Sequence, residues 1–196
     1  MGRRILDVTL DDVVRIPPDC LQSCYWELAQ DVDGPDARFH KEEWFSMTLL
    51  EWGRCGKLAV DGDRSEGFAQ YAPPSLFPRL GSFPSAVVSP DAVYLSYCYV
   101  IAERRREGLG THLVQAVARD LVDRRYRALE ALGDRDWVGG FILPAPFLGA
   151  NGFGVVRDDP RFPLMRLDLR ATLDPRRERA AAAIPLAAPA PAPGLA

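Results

Sequence analysis

No apolar run in the chain approaches the length of a membrane span, so no membrane partner is expected. The N-terminal residues, Met1-Gly2-Arg3-Arg4-Ile5, pass straight into an acidic, amphipathic segment without the apolar centre of a signal peptide, and a cytoplasmic location is expected. A basic excess is also missing. The formal net charge of −3 removes wholesale attraction to nucleic acid, while a basic protein or a small amine stays acceptable as a partner. Cysteine is scarce: Cys20, Cys24, Cys55 and Cys98 do not make a disulfide framework in a cytosolic chain of this size and are expected as small buried apolar residues. Cys20, Cys24 and Cys55 with His40 lack the tight paired spacing of structural zinc sites, so no metal is expected.

What is present suits one globular domain. With 196 residues, 47% hydrophobic and 26% charged, the chain can bury a core of ordinary size, expected over residues 1–173. From 174 to 196 it is mostly Ala, Pro and Arg, which cannot bury a core, and a mobile tail is expected there.

The most informative stretch is Glu103-Arg104-Arg105-Arg106-Glu107-Gly108-Leu109-Gly110-Thr111-His112-Leu113-Val114. Upstream, residues 92–101 mix Val, Leu, Ile and three tyrosines and read as a strand; downstream, Leu109, Leu113, Val117 and Leu121 form a helical stripe. Two glycines at the junction let main-chain N–H groups approach an anion closely, and a helix start adds unsatisfied donors and partial positive charge. The arginine run adds a positive field. A P-loop is excluded because no Lys follows Gly110, and a dinucleotide fingerprint because its third glycine position holds Leu113.

The remaining pattern, Arg105-x-x-Gly108-x-Gly110 between strand and helix, resembles the acyl-CoA signature of the GNAT N-acetyltransferase superfamily. The resemblance implies an α/β (α+β) fold with a mixed, mostly antiparallel central sheet, a splayed strand pair and helices on both faces. It implies acetyl-CoA as co-substrate, its diphosphate on the loop formed by Arg105, Arg106, Gly108, Leu109, Gly110 and Thr111, and its pantetheine arm along Cys98, Tyr99 and Val100. A second stretch, 146–156, is similar to the superfamily's Gly-Phe motif, with a departure: the Tyr that often serves as general acid is replaced by Leu148.

Elsewhere the reading rests on periodicity and caps. A strand is expected over 3–9, a helix entry at Thr9, and a second helix from Asp19 carrying Leu21, Cys24, Tyr25 and Leu28. Trp26 lies off that stripe, as expected of a residue under a loop or at a subunit contact. Asp36 is expected to cap a helix running to about Gly53, with Phe45, Thr48, Leu49 and Trp52 inward and Lys41, Glu42 and Glu43 on the wet side. A hairpin should turn at Asp61-Gly62-Asp63. The insertion 72–91 contains five prolines; a lid over the amine pocket, a dimer contact, or a loop packed over the sheet are its alternatives. Strict alternation along 92–101 would group Tyr94, Ser96, Cys98 and Val100 on one face. On the next helix, Arg119, Asp120, Asp123 and Arg124 should face outward, and further strands are expected at 127–132, 154–157 and 164–169.

These features lead to two functional expectations. The first is direct transfer of an acetyl group from acetyl-CoA to a primary amine, on a small molecule or a protein lysine, by a chain that could form a homodimer. The second is a non-catalytic domain that binds or senses acyl-CoA. Direct transfer needs an uncharged amine, whereas a lysine-like amine is about a thousandfold mostly protonated at neutral pH. Tyr97, Tyr99, Glu27 and Glu66 are the groups able to assist, and Glu27 and Tyr97 are taken as the catalytic pair. His112 and His40 are expected to be solvated.

Overall fold

The computed structural model describes residues 2–32 and 35–169. The tail expected at 174–196 lies outside them. Among the described residues eight strands form one sheet: β1 (Arg4–Asp7), β2 (Gly56–Asp61), β3 (Arg64–Ala72), β4 (Ala92–Val100), β5 (Ala128–Asp134), β6 (Leu143–Pro144), β7 (Gly154–Arg157) and β8 (Leu164–Asp168). Their order is β1-β2-β3-β4-β5-β8-β7, with β6 beside β5. The β4–β5 and β5–β6 pairs are parallel and the rest antiparallel. The turn of the β2–β3 hairpin falls where Asp61-Gly62-Asp63 signals it, with Asp61 opposite Arg64 and Gly62 at φ +60°.

The parallel pair at the centre is short. β4 and β5 meet only through Ala92 and Ala128, Val93 and Leu129, and Tyr94 and Glu130. Past that point β5 continues against β8 and, through Gly133 and Asp134, against β6, while β4 runs on to Val100 paired with β3. Among the described residues the β5-facing edge of β4 beyond Tyr94 therefore has no strand partner, which is the splay expected above.

A bulge corrects the alternation expected along β4. Gln70 pairs with Tyr97 and Tyr71 with Leu95, so Ser96 is the extra residue, and its hydroxyl donates to the Gln70 carbonyl at 3.1 Å. Side chains past it change faces: Tyr94, Tyr97 and Tyr99 join one core cluster, and Leu95, Cys98 and Val100 the other. The tyrosine-rich end of β4 thus faces a different layer from the one that simple period-two reading assigns.

Helices cover both faces. On one side lie α1 (Pro18–Leu21), α2 (Pro35–Glu51) and the insertion, around Trp26, Phe45, Phe68, Phe77 and Tyr94. On the other, α3 (Leu109–Asp123) buries Leu109, Leu113, Val117 and Leu121 against Val93, Leu95 and Leu129, and α4 (Ala145–Ala150) adds Leu148. α2 begins at Pro35, so Asp36 sits inside its first turn instead of capping it.

Three expectations, for the helix from Asp19, Lys41 and Asp120, are corrected by packing. The helix from Asp19 lasts one turn, because Cys24 turns its thiol to the Ala37 carbonyl and Trp26 its indole N–H to the Phe141 carbonyl. Trp26 is buried against Tyr25, Phe83 and Tyr94, the place under a loop that is one of its two alternatives. Lys41 is 0% exposed and ion-paired, not on the wet side of α2. Asp120 is also buried, bonded by the Tyr71 hydroxyl at 2.9 Å and by Arg54 and Arg124. The insertion packs over the sheet through Phe77, stacked on Trp44 at 5.3 Å, and Leu80, and no residue of 72–91 lines the main cleft.

Candidate active site

The loop between β4 and α3 is shaped by two left-handed residues. Arg106 has φ 68° and Gly108 φ 81°, with Gly108 in the N-cap position of α3. Helix geometry leaves the N–H groups of the first turn, at Leu109, Gly110 and Thr111, without intrahelical acceptors, so this end carries directed donors and partial positive charge. A Cβ on Gly108 would meet nothing within 4 Å. The space beside its main chain is open to a ligand. Gly110 is constrained differently: a Cβ there would fall 3.0 Å from the Phe147 ring, so its smallness also lets α4 close on α3.

The arginines do not act alike. Arg104 donates to Glu66 at 2.7 Å, as does Arg3 at 2.8 Å, and both approach Glu107. Its charge is spent within the protein. Burial tends to raise the Glu66 pKa, but the hydrogen bonds and charges of Arg104 and Arg3 outweigh it and hold the carboxyl below its usual range. Glu66 is thereby removed as a proton acceptor. Arg105 donates through Nε to the Val100 carbonyl at 3.0 Å and lies over the Tyr99 ring at 5.9 Å, while Arg106 is exposed.

The unpaired edge of β4 and this loop border one cleft of about 1270 Å³. Such a volume exceeds the ~300–1,000 Å³ of an ordinary small-molecule pocket and suits a long ligand or two ligands together. It brings together Tyr97, Cys98, Tyr99, Val100, Arg105, Arg106, Gly108, Leu109, Gly110 and Thr111. It also gathers residues that sequence reasoning missed: Asp19 and Cys20 from α1, Trp137, Val138 and Phe141 from the loop after β5, and Phe147 from α4. Asp19 is legible in sequence only as a helix cap, and nothing marks Phe141 as a neighbour of Tyr97.

Glu27 is not among the lining residues. It is buried behind Tyr97, where its Oε1 accepts from Lys41 and from Gln70, and its Oε2 has no hydrogen-bond partner among the described residues. A carboxylate already engaged by a buried ammonium and shielded from the cleft is not placed to take a proton from a substrate, which corrects the assignment of Glu27 as base. The same ammonium sits 4.6 Å from the centre of the Tyr97 ring, so the Glu27–Lys41 pair braces that tyrosine.

Tyr97 itself reaches the cleft, and its hydroxyl bonds the Ser23 hydroxyl at 2.9 Å. Burial, and secondarily the charge of Glu27, push its pKa well above the ordinary phenol value. Tyr99 donates to Asp19 at 2.7 Å; burial and that bond push it up to about 12. Burial likewise pushes the Cys20 and Cys98 thiols up to about 12, so both are neutral. Leu148 is fully buried in the α3-side core. His112 and His40 are exposed or partly so, His40 lying 3.4 Å from Glu43. Among the described residues no group of three or more His, Cys, Asp or Glu is arranged to hold a metal, and no helix is long and apolar enough to cross a membrane.

Residues 21–136, more than half of the chain, match the model of the acetyltransferase (GNAT) family. No curated protein sequence matches the chain. Among solved structures it resembles the PaiA N-acetyltransferase of Thermoplasma acidophilum in complex with coenzyme A, with 15% identity, a TM-score of 0.55, and coverage of 86% of this chain and 99% of that one. An N-acetyltransferase of Staphylococcus aureus Mu50 gives 17% identity, a TM-score of 0.58, and coverage of 86% and 99%. The ribosomal-protein-S18-alanine N-acetyltransferase of Escherichia coli gives 15%, 0.52, and 86% and 94%. At such identities these likenesses speak to the fold: a mixed α/β architecture around an open, mostly antiparallel sheet.

Proposed function

The chain belongs to the acetyltransferase (GNAT) family, and on that footing we propose that it moves an acetyl group from acetyl-CoA to a primary amine by direct transfer. The observation that carries the reading is the continuity of the unpaired β4 edge with the glycine loop of α3 along one cleft. A CoA fits that track chemically. Its diphosphate suits the N–H groups at Gly108, Leu109, Gly110 and Thr111 with Arg105 and Arg106 beside them, and its pantetheine arm suits the β4 edge along Cys98, Tyr99 and Val100 that no strand of the described residues covers.

Acetyl-CoA supplies the activated acetyl thioester; the chain's residues position and desolvate the acceptor. Apolar walls at Trp137 and Phe141 disfavour the ammonium form, lowering the cost of presenting a neutral amine. Tyr97 carries a phenol held protonated, so it is not a base; its hydroxyl, bonded to that of Ser23, is placed to hydrogen-bond a reacting group without giving up its proton. Glu27 and Lys41 act as positioning residues behind it.

Two measurements test this. Acetyl-CoA at about 100 times its Kd should stabilise the protein by about 2.7 kcal/mol, a rise of about 5–10 °C in Tm. Release of CoA thiol in the presence of an amine should accompany it. No stabilisation at millimolar acetyl-CoA would overturn the reading. A second reading, acyl-CoA binding without turnover, is favoured by one observation: buried Leu148 occupies the position where the resemblance implies a general acid. Stabilisation without thiol release across a broad amine panel would select it.

A further inference from the structure

The cleft is charged unequally. Arg104, Arg105 and Arg106 are its cations, Asp19 is the single carboxylate among the described residues that line it, and Tyr99 stands between Asp19 and Arg105, which lies 5.9 Å from the centre of its ring. Among the described residues no cation forms an ion pair with Asp19; its Oδ2 accepts the Tyr99 hydroxyl at 2.7 Å, and the residue is exposed to the cleft. Tyr99 and Tyr97 are two residues apart on one strand face, which separates them by ~7 Å. Tyr97 in turn meets Phe141 edge-on at 6.3 Å, and Phe141 stacks on Tyr25 at 4.8 Å.

The loop that carries Phe141 leaves large apolar surfaces in water at the cleft mouth. Trp137 is 42% exposed, Val138 92% and Phe141 41%, and Gly139 and Gly140 between them hold φ of 129° and 118°. Three adjacent apolar groups exposed on the wall of a cavity mark a surface that gains by being covered. From this juxtaposition of one carboxylate that forms no ion pair among the described residues and an apolar, aromatic wall we infer that the acceptor is a monocationic primary amine carried on an aromatic or aliphatic body. Asp19 receives the ammonium as it enters, and Trp137 and Phe141 cover the body.

The same features argue against other amines. A polyamine brings two or more ammonium groups and would meet one carboxylate among the described residues of the cleft. An amino acid would bring its own carboxylate to Asp19 and be repelled. This inference rests on the transferase reading above, so its test separates the two. CoA thiol release is followed with 2-phenylethylamine, spermidine, a lysine-containing peptide and phenylalanine, with acetyl-CoA binding measured in parallel by thermal shift.

The expected result is a kcat/KM for 2-phenylethylamine at least tenfold above the other three. Asp19→Asn should raise its KM about 10–100-fold while acetyl-CoA stabilises the variant as it does the parent. Trp137→Ala should raise KM more for 2-phenylethylamine than for methylamine. Normal acetyl-CoA binding with spermidine, the peptide or phenylalanine preferred, with no turnover of any amine, or with KM unmoved in Asp19→Asn, overturns the inference and leaves CoA recognition standing. Absence of acetyl-CoA binding overturns both.

Discussion

Replacing Lys41 with Met isolates the buried pair behind Tyr97. Both partners have side chains essentially without solvent contact, at 0% and 1% exposure. Removing the ammonium leaves Glu27 with Gln70 as its remaining donor and with Oε2 still unbonded among the described residues. Breaking a buried pair from one side costs about 3–5 kcal/mol, because an uncompensated charge stays in apolar surroundings. Against a total stability of about 5–15 kcal/mol this is a large share, and for a domain of this size it corresponds to a fall of about 6–20 °C in Tm. The double variant Lys41→Met/Glu27→Leu removes both charges and should recover most of the loss, to within about 1–2 kcal/mol of the parent. Calorimetry and urea unfolding of the four proteins of the cycle give the coupling directly. A single Lys41→Met variant melting within 2 °C of the parent would refute the reasoning. Below its melting range, Glu27→Gln should keep the parent's shape of pH–rate profile, since a positioning group contributes no titration of its own to turnover.

Gly108→Val forces a β-branched residue into φ 81° in a place with no steric obstacle. It should lose about 1–2 kcal/mol of stability and almost all stabilisation by acetyl-CoA; unchanged affinity in isothermal titration would put the phosphates elsewhere. Arg105→Ala and Arg106→Ala should each weaken acetyl-CoA binding several-fold, less so at 0.5 M salt, whereas a salt-independent loss would argue against a charge contact. Glu66 has its folded pKa depressed by Arg104 and Arg3 against the opposing effect of burial, so its contribution to stability is present above its unfolded value of about 4.3 and is lost as pH falls through the lower folded value. Acid unfolding of Glu66→Gln followed by circular dichroism should therefore show a shallower stability loss below about pH 4.3 than the parent, and parallel curves would contradict this. Cys20 and Cys98, with thiols near 12, should alkylate slowly with iodoacetamide at pH 7.5 despite bordering the cleft.

Much of the architecture is written in local pattern. The hairpin at Gly62, the stripe Leu109-Leu113-Val117-Leu121 and the glycine loop before it are decided by residues within a few positions of one another, where φ preference and periodicity act directly. For the same reason the loop residues from Arg105 to Thr111 read as one unit in the sequence. Long-range packing decided the rest. The bulge at Ser96 exists only in the pairing of β4 with β3, and it turns Tyr97 and Tyr99 toward the helical layer that holds Asp19. Lys41 reads as solvated because a charge on a helix usually is; it is buried because Glu27, fourteen residues away, arrives to neutralise it. Glu27 looks like a base in sequence for its chemistry alone, and that same pairing withdraws it from the cleft. Sequence by itself determined where a glycine-opened loop meets a helix start, since that depends on backbone freedom and local periodicity. Tertiary structure alone decided what shares a cleft with that loop, Asp19 with Trp137 and Phe141, because those residues are far apart in the chain and meet only where the splayed strands leave room.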